Sequence, residues 1–299
     1  MTQIARRGFL LTVAATAGGC AGGLRIPGSA PAAPVRREHA QAVTASNRLI
    51  SFNVASPGWL LSHKPLRGLA ADESVLAMDF RQKNDTLYAL GSSGRLYTID
   101  HETGQARPVG PPLALALPGG EIGMDFNPTV DRIRVISDGG LNLRLHPDTG
   151  AIVDSDAARP GLQIDGALAY VEGDPHAGRP PRLLAAAYSY NKADPKITTQ
   201  YAIDAATASL VRQGSLEGTT PVVSPNTGRL STIGPLGVRG FTRAAFDIHV
   251  LTDLAFAALT FQDSPDSRFY EIDVKSGLAR PLGTIGGAEP VVAMALESW

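Results

Sequence analysis

Three aspartates stand at matching places in short apolar runs: Asp79 in LAMDF, Asp125 in GMDFN and Asp247 in AFDIH. If their carboxylates converge, they could hold a hard divalent cation, which takes oxygen ligands and can activate water. The favoured expectation is structural, with each carboxylate accepting a backbone N–H from a neighbouring element. An acid cluster without a cation repels itself, so the metal reading depends on actual convergence.

A second group is basic. Arg132 and Arg134 lie two apart on an expected strand and therefore share a face, and Arg144 lies on the next strand. Whether Arg144 joins them depends on the turn at Asp138, Gly139 and Gly140, which sets the register. Three guanidinium groups would grip a carboxylate or phosphate ligand. The favoured alternative is an ion network with Asp125 and Asp131, acids of the same motif. Residues 209–228, SLVRQGSLEGTTPVVSPNTG, read as a polar, turn-rich insertion suited to a partner contact or lid, or simply to a solvated loop.

No Gly-x-Ser-x-Gly elbow, His-Glu-x-x-His motif or spaced-acid calcium loop is present. The six histidines (His39, His63, His101, His146, His176, His249) lack paired ligand spacing. Asp263 and Asp266 read as parts of a polar turn. Cys20 is the single cysteine, which rules out an intrachain disulfide and a cysteine-based zinc site. Net charge is −1, and −3 without residues 1–19, so no electrostatic footprint for nucleic acid exists. No cofactor is expected, apart from a divalent metal under the aspartate reading.

The elements that must position these residues repeat. LYTIDHETG (96–104), NLRLHPDTG (142–150), FYEIDVKSG (269–277) and ISFNVASPG (50–58) share one pattern, with QYAIDAATA (200–208) a weaker copy. Each reads as a strand entering a hairpin. The side chain of Asn53, Asp100, His146, Asp204 or Asp273 bonds its own turn, and Gly58, Gly104, Gly150 or Gly277 closes it with positive φ. Ala208 breaks the glycine pattern.

Around each hairpin the strand order recurs. Residues 75–110 give VLAMDFR, TLYALGS, RLYTIDHETG and QARPVG, and residues 121–154 repeat it, with AIVD as fourth strand. A third unit runs from IDGALAYV through RLLAAAYSYN and TTQYAIDAATA to RLSTIGPLG, and a fourth from AAFDIHV to ARPLGTIG. In the third and fifth units Ala169-Tyr170 and Ala295-Leu296 replace the Asp step. The tail VVAMALESW is a first strand without successors, and the start supplies strands two to four of the same unit. Four strands per unit at roughly 45-residue spacing predict an all-β, five-bladed propeller of antiparallel blades over 39–299, closed by both termini. A β-sandwich is the alternative.

Residues 1–20 read as a secretory signal: Arg6 and Arg7, a nine-residue apolar stretch, then small residues. The run ARRGFL resembles a twin-arginine signal, and Ala17-Gly18-Gly19-Cys20 resembles a lipobox, whose cysteine becomes lipid-modified. Cleavage after Ala32 is the alternative. Residues 21–38 read as a Gly/Ala/Pro tether. The expected location is the envelope, anchored at Cys20 and facing the periplasm, with Ala21 suiting the outer membrane by resemblance to lipoprotein sorting rules.

The stretch GMDFNPTVDRIRVISDGGLNLRLHPDTGAIVD (123–154), with GRLYTIDHETG, STIGPLGV and AFAALT, resembles the domain of unknown function 4394 family over about residues 40–299. The resemblance implies an exported, propeller-like protein and assigns no activity or site residue.

The leading functional expectation is a monomeric, non-catalytic binding or scaffolding propeller whose partner is an envelope protein or small ligand. A metal-dependent hydrolase or lactonase using Asp79, Asp125 and Asp247 is the alternative, and a purely structural role is the third.

Overall fold

The computed structural model describes residues 36–298 apart from Gly119 and Asp263. Arg6, Arg7 and Cys20 lie outside the described residues. The expected propeller is observed, with five small sheets built around five inner strands.

Blade 1 joins the two ends of the fold: β20 (Val291–Leu296) is innermost, followed by β1 (His39–Thr44), β2 (Arg48–Asn53) and β3 (Leu60–Pro65). Blade 2 is β4 (Val75–Arg81), β5 (Thr86–Gly91), β6 (Leu96–Asp100) and β7 (Gln105–Val109). Blade 3 has β8 (Ile122–Asn127), β9 (Arg132–Ser137) and β10 (Asn142–Leu145). Its expected fourth strand is reduced to one bridge, Leu145 to Ile152. Blade 5 is β16 (Phe241–Ile248), β17 (Ala255–Phe261), β18 (Ser267–Ile272) and β19 (Ala279–Thr284).

Blade 4 corrects the expected strand assignment. Its inner strand is β12 (Leu183–Tyr188), followed by β13 (Gln200–Asp204), β14 (Ser209–Gln213) and β15 (Arg229–Pro235). The segment β11 (Ala169–Tyr170) lies at the outer edge, parallel to β15. The inner counterpart of Asp125-Phe126 is therefore Ala187-Tyr188, not Ala169-Tyr170. All six β12 residues are buried, and a continuous apolar run is the mark of a strand covered on both faces. Ser209–Gln213 is likewise strand, so the insertion is 214–228.

The expected side-chain bonds form at all five hairpin turns, and the closing positive φ at four of them. Asn53, Asp100, Asp204 and Asp273 accept backbone N–H groups two residues on through their side-chain oxygens, and His146 does so through Nδ1. Ala208 takes positive φ (52°), doing the work of the glycine it replaces, whereas Gly58 is not among the positive-φ residues. One apolar cluster fills each blade interface. At the centre, Met78, Met124, Ala186, Phe246 and Met294 from the five inner strands leave about 10 Å³, the space of a single water. Among the described residues, no helix is long and apolar enough to cross a membrane.

Candidate functional site

One residue beyond that apolar plug, the three inner-strand aspartates do converge. Asp79, Asp125 and Asp247 are buried, and one carboxylate oxygen from each lies within 4.8 Å of the other two. They also make the expected inter-blade bonds. Asp79 accepts the N–H of Phe126 (2.7 Å), Asp125 that of Tyr188 (3.1 Å) and Asp247 that of Leu296 (2.6 Å). Each acid thus ties its blade to the next at the same level, joining blades 2 to 3, 3 to 4 and 5 to 1. Ala187 and Ala295 occupy the remaining two places, where the contact is apolar.

Electrostatics at this cluster are unfavourable for full ionisation. Burial, then the neighbouring carboxylates, push Asp79 and Asp125 well above the usual carboxylate range, and burial pushes Asp247 up to about 7. Among the described residues no Lys or Arg forms an ion pair with the three. The buried phenol of Tyr190 is pushed up by burial and then by all three charges, and it bonds the side chain of Gln82. The cluster can share protons, or it can offer oxygens to a cation. With the oxygens at most 4.8 Å apart, an ion at the centre of an equilateral set would lie no more than about 2.8 Å from each, close to calcium distances. Three oxygens are half of what such an ion requires, so the donor set fits only in part.

The basic residues form a different kind of site. Asp125 pairs with Arg134 across β8 and β9, and Arg134 with Arg144 across β9 and β10, so all three lie in one row. The turn at 138–140 thus does bring Arg144 to the face of Arg132 and Arg134. The expected acid partners are not used. Asp131 is held by Arg81 (2.6 Å), which also pairs with Asp148 (2.5 Å), and Asp125 is spent on Tyr188. Asp165 takes that place. Its fully buried carboxylate lies between Arg134 and Arg144, accepting from Arg134 and twice from Arg144 (2.8 and 2.9 Å).

Above this row opens a cleft of about 500 Å³, within the usual range for small-molecule sites. Arg132, Arg134, Arg144 and Tyr188 form its floor, and residues 215–226 form its roof. The roof is the corrected insertion, pinned at several points. Asn226 accepts from Arg134 (2.5 Å), and Gln213 donates to the Pro225 carbonyl (2.6 Å). Glu217 accepts from Ser189 (2.8 Å) and Asn191 (3.2 Å). Glycine is required at both ends of the loop. Gly214 and Gly228 have φ of 83° and 70°, and a Cβ at either would strike backbone oxygens, Val223 at the first and Ala167 at the second.

Charge in the cleft is unbalanced. Among the described residues, Arg132, Arg134, Arg144 and Lys196 line the cleft with one acid, Glu217; Asp165 pairs with Arg134 and Arg144, and Asp131, beside Arg132, is already held by Arg81. Tyr188, Asn142, Asp165 and Asn226 engage four of the five N–H groups of Arg134, whose side chain is 1% exposed. Among the described residues, the Arg132 guanidinium donates to the adjacent Asp131 carbonyl (2.8 Å).

Sequence reasoning missed Asp165, Asn226 and Glu217. They sit in aperiodic segments between strands, and only the folded chain brings them to the arginines. The alanine-rich buried run 183–188 was the one signal that could have placed Tyr188.

With fold and geometry in hand, the class of protein is a five-bladed propeller with a basic cleft on one end face. The profile of the domain of unknown function 4394 matches residues 48–295, and the chain belongs to that family. No curated protein matches. The similarities to solved structures are distant. A Bacteroides uniformis protein provisionally described as a 6-phosphogluconolactonase is 16% identical, with 84% of this chain and 68% of that one covered and a TM-score of 0.39. A chain of a nidogen/laminin complex is 10% identical (87% and 98% covered, TM-score 0.42). A Bacteroides thetaiotaomicron protein of unknown function is 14% identical (83% and 58% covered, TM-score 0.40).

Proposed function

We propose that this is a ligand-binding propeller, lipid-anchored at Cys20 in the envelope after export, and that the cleft between blades 3 and 4 is its site. The observation that carries the reading is the cleft itself: a cationic floor whose charge exceeds its buried counter-ions, under a loop pinned to that floor. Blade insertions commonly build the binding face of a propeller, and excess charge facing open space is what an incoming anion would complement. The test is a thermal-shift screen of the purified protein against a small-molecule library containing neutral, zwitterionic and anionic members. Stabilising hits that weaken in Arg132→Gln support the reading. A library without a stabilising member, or hits indifferent to Arg132→Gln and to changes in the 214–228 loop, would remove the cleft as the site.

A second reading is favoured by the convergence of Asp79, Asp125 and Asp247: a divalent cation on the propeller axis, supporting either the fold or a hydrolytic reaction. Metal analysis of the purified protein separates the two readings. About one divalent ion per chain, lost in Asp125→Ala, would favour the axis, and a folded protein free of metal would leave the cleft.

A further inference from the structure

Resting on the cleft reading above, the chemistry of its walls narrows the ligand class. Nine large hydrophobic side chains are exposed among the described residues, and three of them, Val130, Leu216 and Val222, line this one cleft. Val222 is 81% exposed, and it belongs to the same pinned loop that carries Glu217. Scattered exposed hydrophobics are ordinary, but a group of them around a concave opening with a charged floor marks a binding site.

The floor supplies the other half of the specificity. Arg134 is 1% exposed with four of its five N–H groups engaged, and Arg144 gives its Nε and one Nη2 N–H to Asp165. Arg132, which donates to the Asp131 carbonyl, keeps the most N–H groups for a ligand, and the Nη1 of Arg144 is a second source; Asp165 and Glu217 are fixed negative charges nearby. Asp165 already neutralises part of the floor and Glu217 lines the same cleft, and both would repel a bare polyanion. A carboxylate matches the planar fork of a guanidinium.

We infer that the cleft takes an amphiphilic organic monoanion, a carboxylic acid whose head meets Arg132 and whose apolar body lies against Val130, Leu216 and Val222. Neither half of the site suffices alone. The charged head fixes orientation, and the apolar body contributes by leaving water.

The test is isothermal titration of the purified protein with 2-naphthoate and octanoate, compared with the uncharged isostere 2-naphthamide and with the bare anions acetate and phosphate. Both amphiphilic acids should bind, with 2-naphthamide at least about tenfold weaker and the bare anions weaker still, the head being a charge-assisted pair. Arg132→Gln should weaken 2-naphthoate about tenfold and leave 2-naphthamide unchanged. Val222→Ser, at a residue open enough to leave folding intact, should weaken both naphthyl ligands about threefold. Equal affinity for acid and amide, tighter binding of acetate or phosphate, unchanged binding in Arg132→Gln, or no binding of either acid would overturn the inference. If other library members bind in an Arg132- or loop-dependent way while these acids do not, the ligand class is wrong and the cleft stands. If no member binds, both fail together.

Discussion

The axis and the cleft handle buried charge in opposite ways. On the axis, three like charges are packed together without an ion-pair partner, and backbone N–H groups of neighbouring blades hold them. In the cleft floor, a single buried acid is clasped by two guanidinium groups, and further positive charge faces open space. The first arrangement closes the ring and gains most when protonated. The second is balanced inside and unbalanced outside, which is how a site differs from a joint. Buried acids of one chain thus carry opposite energetic signs.

The comparison is broken most completely by removing the strand on which the ring closes. Deleting Val291–Trp299 takes away β20, the inner strand of blade 1 and the source of the Leu296 N–H that Asp247 accepts. The expected outcome is loss of the cooperative thermal transition by circular dichroism. An unchanged melting curve would contradict ring closure as the source of integrity.

Next in size is Asp165→Ala. Arg134, 1% exposed, would keep its charge without its acid. Breaking a buried pair from one side costs about 3–5 kcal/mol, so denaturant unfolding should show a loss of that order. Asp125→Ala removes an acceptor from Tyr188 but also relieves repulsion. At pH 8, without divalent ions, its cost should be well below that of Asp165→Ala, and equal losses would erase the distinction between axis and floor.

The pH dependence sharpens the same point. Asp247 is raised from the ordinary carboxylate value to about 7, so the folded state holds more protons than the unfolded chain between these values. The Asp247 contribution to metal-free stability should therefore fall as pH rises from about 4 to about 7 and then level off. Asp247→Asn should flatten that slope in urea titrations across the range. The smallest expected effect is that of Arg132→Gln on stability, within about 0.5 kcal/mol, because its guanidinium donates only to a neighbouring carbonyl.

Much of the fold was legible because period, turn chemistry and burial agree at each repeat. Asp100, Asp204 and Asp273 announce their turns locally, and the orphan strand at 291–296 announces its partner by what the start of the chain lacks. Blade 4 was misread because LLAAAY has no Asp step, whereas Ala169-Tyr170 imitates the place of one. The three axial acids could be recognised from their equivalent positions, but not their separation, which the propeller geometry sets. The cleft was half visible: its arginines follow strand periodicity, and its loop stands out by composition. Asp165 did not, since a lone acid in a 20-residue excursion carries no sign of the pair it will fill.

Hydrogen exchange with and without saturating 2-naphthoate tests the central claim most directly, because it reports where a ligand acts. Slower exchange confined to 196–198 and 214–228 is the predicted result. Unchanged exchange in those segments at saturation, or protection confined to the axial strand ends around Asp79, Asp125 and Asp247, would contradict it.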